Sequence, residues 1–90
     1  MRRVYKYPIP TAKGKFQILL PEGFKFLRVL NQDLQLQVWC EVTDGARALV
    51  TDFQMYGTGQ DIPAGAKYLS TFDHGPFVFH LYQLNNLGAP

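Results

Sequence analysis

The chain has 90 residues, of which 47% are hydrophobic, 14% aromatic and 18% charged, with a net charge of +2. That composition excludes a disordered chain, and the length leaves no room for a second core, so residues 1–90 read as one β-rich domain with a frayed tail at 85–90. Cys40 is the one cysteine, which excludes an internal disulfide framework, and no apolar run reaches bilayer length or follows a signal-peptide pattern. The expected location is therefore cytoplasmic.

Taken in chain order, apolar residues alternate in short runs broken every eight to twelve residues by turn signals, and no helical spacing persists over three turns. Residues 4–7 form a first predicted strand, closed by Pro8 and Pro10. Residues 15–20 form the second, with Phe16, Ile18 and Leu20 on one side and Pro21-Glu22-Gly23 turning the chain. Three longer strands follow at 24–30, 34–42 and 47–56. A turn-rich loop from Gly57 to Gly65 precedes strands at 67–73 and 77–84, which are joined through His74-Gly75-Pro76. The expected fold is mainly β, a small antiparallel sandwich or open barrel of six to seven hairpin-connected strands with little or no helix.

The fourth run alternates most regularly: Leu34, Leu36, Val38, Cys40 and Val42 are apolar, and Gln35, Gln37, Trp39 and Glu41 lie between them. Asp44-Gly45 fits a two-residue type I′ hairpin loop, which sets Cys40 opposite Leu49, Leu36 opposite Phe53 and Trp39 opposite Val50. On the other side, Gln32-Asp33 as a two-residue loop places Phe26 opposite Trp39 and Arg28 opposite Gln37, whereas a three-residue loop would shift that register and move Phe26 away from Trp39. Phe26, Trp39 and Val50 would then form an aromatic interface patch; the competing reading buries Trp39 beneath a second sheet or the N-terminal segment.

The segments Tyr5-Lys6-Tyr7-Pro8, Leu20-Pro21-Glu22-Gly23, Tyr56-Gly57-Thr58-Gly59, Ile62-Pro63 and Gly75-Pro76-Phe77-Val78-Phe79-His80-Leu81 follow one another along the chain. In this order they resemble a family of very short proteins of unknown function common in bacteriophage and prophage genomes. The resemblance covers nearly the whole chain and brings no established activity. It implies a setting in which small accessory proteins bind and disable host defence components or their signals.

Residues 1–28 carry a net charge of +6 and residues 29–90 a net charge of −4. The excess is too modest for a duplex binder. The candidate ligand set is Tyr56, Gly57, Thr58, Gly59 and Gln60, whose main chain would cradle a phosphate, with Arg47, Lys67 and Tyr68 as cations and stacking face. The competing reading is a plain turn and solvated surface. His74 and His80 are too few for a metal site, and His80 reads as a structural, hydrogen-bonded histidine. No catalytic residue and no cofactor is expected. The sequence reads as a phage-encoded, non-catalytic binding protein and, because so small a core favours self-association, as a homo-oligomer. It would sequester a nucleotide second messenger, with direct inhibition of a host defence protein or a virion assembly role as alternatives.

Overall fold

The computed structural model describes residues 1–10 and 14–84, so the expected frayed tail at 85–90 lies outside the described residues. Seven antiparallel strands are present: β1 (Arg2–Pro8), β2 (Gly14–Pro21), β3 (Lys25–Gln32), β4 (Gln35–Thr43), β5 (Ala48–Gly57), β6 (Lys67–His74) and β7 (Phe77–Leu84). They form two sheets, ordered β1-β4-β3 and β2-β5-β7-β6, without a closed barrel. No helix of the described residues is long and apolar enough to cross a membrane.

The topology corrects one expectation. β4 and β5 do not pair: β4 lies between β1 and β3, and β5 lies between β2 and β7. Asp44-Gly45 is a corner between sheets. Gly45 has φ +81° but Asp44 is not in the positive-φ region, so the type I′ condition fails. The residues that meet it are Asp33 (φ 52°) and Leu34 (φ 66°), which form the two-residue turn between Gln32 and Gln35 in place of the expected Gln32-Asp33 loop and so set Arg28 opposite Trp39 and not Gln37. Leu34, expected in the core, is consequently 96% exposed at the hairpin tip.

β2, β3, β4 and β5 constitute one long two-stranded ribbon folded back on itself. Its tip is the β3–β4 hairpin and its base is the β2–β5 ladder, with Leu20 opposite Leu49 and Phe16 opposite Phe53. Both arms bend at matching turns: the Phe24 N–H donates to the Pro21 carbonyl and the Ala46 N–H to the Thr43 carbonyl, each at 3.2 Å. Each turn has glycine at its third position, Gly23 (φ +80°) and Gly45 (φ +81°), as a type II turn requires. β1 adds to the tip half, and β7 followed by β6 adds to the base half.

The core lies between the two halves. β4 contributes Leu36, Val38, Cys40 and Val42; β2 contributes Phe16, Ile18 and Leu20; β5 and β7 contribute Phe53, Met55 and Leu81. Phe53 is fully buried, stacked on Phe16 at 5.5 Å and tilted against Phe24 at 6.4 Å. A bulge between Phe26 and Arg28 sets the parity of β3. One extra residue, Leu27, lets both Phe26 and Val29 face inward although they are three positions apart. Phe26 therefore sits opposite Cys40, while the register set by the Asp33-Leu34 turn makes Arg28, not Phe26, the cross-strand partner of Trp39.

Candidate functional site

The expected interface patch is not assembled. Phe26 packs against the core, Trp39 points outward from the three-stranded sheet, and Val50 lies on the other sheet opposite Leu19. Trp39 is half-buried between neighbours: Lys6 of β1 is its partner on one side and Arg28 of β3 on the other. The Lys6 ammonium stands 5.7 Å from the indole centroid and donates to Gln32 Oε1.

The candidate ligand residues divide among separate places. Gly57 and Gln60 line a cleft of about 310 Å³ with Gly14, Gln54, Met55 and Phe79. Within the loop, the Gly57 N–H donates to Gln60 Oε1 at 2.6 Å and the Gln60 N–H to the Gly57 carbonyl at 3.2 Å. Two main-chain donors of the expected phosphate cradle are thus engaged by the loop itself. Thr58 is tied down as well: its hydroxyl is 3.0 Å from His80 Nε2, and His80 Nδ1 is 2.9 Å from Thr71 Oγ1, which in turn meets the Tyr68 hydroxyl at 2.8 Å. Alongside this chain Tyr82 makes edge-to-face contacts with Tyr56 and Tyr68, both at 5.5 Å. Tyr56 is itself buried, so its ring belongs to this packing.

Arg47 stands at the far end. It precedes Ala48, so the length of β5, about 30 Å at a strand's rise, separates it from Gly57. There it pairs with Glu22 at 3.4 Å.

Lys67 and Tyr68 do find partners that spacing alone could not reveal. β3 and β6 are edge strands of different sheets and come together along the open side of the sandwich. Between them lies a cleft of about 300 Å³ lined by Phe24, Lys25, Phe26, Lys67, Tyr68, Leu69 and Gln83. Two lysines, one from each sheet, line it with three aromatic side chains, and among the described residues no carboxylate does. Its volume lies at the lower end of the range for small-molecule sites. Sequence reasoning missed Lys25 and Phe24; the signal was present only as the basic excess of the first 28 residues.

Other titratable groups form no competing centre. No group of three or more His, Cys, Asp or Glu residues is gathered among the described residues. Cys40 is fully buried, and burial pushes its thiol up to about 11, away from reactivity at neutral pH. Burial also raises Tyr7 and Tyr56 above the usual phenol value.

A family model described as a domain of unknown function, DUF7352, matches residues 1–89. No curated protein and no solved structure matches the chain.

Proposed function

The chain belongs to this domain-of-unknown-function family, and on that premise we propose that it is a non-catalytic binding protein that captures a small nucleotide in the cleft between β3 and β6. The observation that carries this reading is that Lys25 and Lys67, from different sheets, line one cleft together with Phe24, Phe26 and Tyr68, with no carboxylate among the described residues that line it. Ammonium groups supply point charges for phosphate, and an aromatic ring offers a stacking face to a base. The bacteriophage and prophage setting implied by the sequence segments makes the ligand a nucleotide signal of host defence, held by equilibrium capture and not consumed. Self-association, expected from the small core, would use the outward pair Leu19 and Val50, which are 61% and 58% exposed; light scattering reads it directly.

Calorimetric titration with mononucleotides and cyclic dinucleotides tests the cleft. Binding is expected for at least one of them, weakened at least about tenfold by Lys25→Glu and by Lys67→Glu, since a charge-assisted contact is lost and repulsion gained. Protein purified from nucleotide-rich lysate should also release that ligand on heating. No binding and no released ligand, with a host protein retained instead, would replace this reading with direct protein inhibition.

A further inference from the structure

We propose that the outward face of the β1-β4-β3 sheet is a second binding surface, which shares only Lys25 with the cleft, and that it takes single-stranded nucleic acid. The basic excess of the N-terminal region is concentrated here. Arg2 and Lys6 on β1 and Lys25 and Arg28 on β3 all share the face of Trp39, because their cross-strand partners are Thr43, Trp39, Glu41 and Trp39. Glu41 is the acid of that face, and Arg2 engages it at 3.4 Å. Among the described residues, Lys6, Lys25 and Arg28 have no carboxylate within salt-bridge distance, and the Lys6 ammonium is held only by the neutral amide of Gln32 and the indole face.

Polar atoms on the same face point the same way. Trp39 Nε1, a donor, and Gln37 Oε1, an acceptor, are buried without a hydrogen-bond partner among the described residues, two positions apart on β4. Such orphaned groups are uncommon enough to require an explanation, and the edge of a neighbouring base would satisfy them once the side chains that cover them move. Lys6 occupies the position over the ring that a stacked base would take, and its flexible stem lets the ammonium move aside to a phosphate.

Geometry selects the polymer. Strands lie about 4.8 Å apart, so the cations of β1 and β3 form two rows roughly 10 Å apart with the indole between them. Arg2 and Lys6 are about 13 Å apart along β1. This is a pleated surface with charge spread along it, suited to a backbone that tracks a row while one base stacks on Trp39. Stacking requires an unpaired base, which selects single strands over duplex.

Trp39 is the sole tryptophan, so its emission reports on the site. Titration with a ten-nucleotide oligothymidylate is expected to quench it saturably, with log K falling against log salt at a slope of about −2 for three phosphate contacts. Measured by anisotropy of labelled oligonucleotide, Trp39→Ala should weaken binding at least about tenfold. The pair Lys6→Glu with Arg28→Glu should abolish it, and Lys6→Gln with Arg28→Gln repeats the test if charge reversal perturbs folding. Lys67→Glu should leave oligonucleotide binding unchanged while it weakens nucleotide binding in the cleft, so either site can fail alone. Equal binding by Trp39→Ala and wild type would overturn the proposal. So would quenching by heparin as strong as by the oligonucleotide, or thymidine monophosphate binding as tightly as the ten-mer.

Discussion

The main-chain N–H of Glu22 donates to the carbonyl of Arg47 at 2.6 Å, joining the two corners at which the ribbon folds over. Their side chains meet as well, at 3.4 Å, but both are largely exposed. The two links differ in worth. An exposed ion pair contributes about 0–1 kcal/mol, so Arg47→Ala should shift the urea midpoint little. The glycines that let the chain turn are worth more. A Cβ at Gly23 or Gly45 meets no atom within 4 Å, so Gly23→Ala and Gly45→Ala act through backbone strain alone. Each should cost about 1 kcal/mol in equilibrium unfolding. A neutral outcome would mean that the corners can adopt another turn.

At the opposite end of the ribbon, Leu34 has φ 66° and is 96% exposed, so it carries the cost of a left-handed conformation with no packing in return. Leu34→Gly relieves that strain, partly offset by glycine's greater unfolded-state freedom. The expected gain is roughly 0.5–1 kcal/mol, read as a higher urea midpoint with an unchanged slope. A loss of stability would show that the turn is not held as described.

Core and surface variants should separate sharply. Phe53→Ala removes a fully buried ring stacked between Phe16 and Phe24 and should cost about 3–5 kcal/mol, enough to leave a domain of this size largely unfolded at 25 °C. Ile62→Ala, in the exposed loop after β5, should stay within about 0.5 kcal/mol. Phe26→Ala should also destabilise, because its ring packs on the core. If Phe26→Ala were silent in thermal unfolding, the bulge that turns it inward would be wrong.

Alkaline pH should unfold the protein through Cys40. The thiol ordinarily ionises near 9.0, and burial raises it to about 11 in the folded state. Between those values the unfolded chain gives up its proton while the folded chain retains it. Stability present in full below pH 9 is therefore lost as pH rises toward 11, by roughly 2–3 kcal/mol. Tyr7 and Tyr56, raised in the same direction by burial, add to the loss above pH 10. Urea midpoints measured from pH 8 to 11 should fall, and Cys40→Ala should flatten the decline; an identical slope in that variant would refute the assignment.

All seven strands were legible from alternation, because one dry face imposes a period of two whichever strand lies alongside. Partnership was not legible, because that period carries no information about which strand is the neighbour. Asp44-Gly45 has the composition of a hairpin loop and serves as a corner, and only the φ of Asp44 distinguishes the two. Phe26 was misplaced for a related reason: strict alternation assigned it outward, and the extra residue at Leu27 reverses the parity upstream. Of the candidate ligand residues, Lys67 and Tyr68 were recognised by type, but their cleft depends on β3 and β6 meeting across sheets. Arg47 was grouped with the loop by residue type alone, as a cation suited to phosphate, and the length of β5 keeps them apart.

β1 borders its sheet, and among the described residues no strand lies along one side of its backbone. Such a border invites identical chains to add on and grow into fibres. Arg2, Arg3 and Lys6 line this strand, and Pro8 at its end has no N–H to offer. Replacing the three cations by neutral residues would therefore do more than weaken attraction for anions: it would remove the like-charge repulsion that keeps concentrated protein from polymerising through that border.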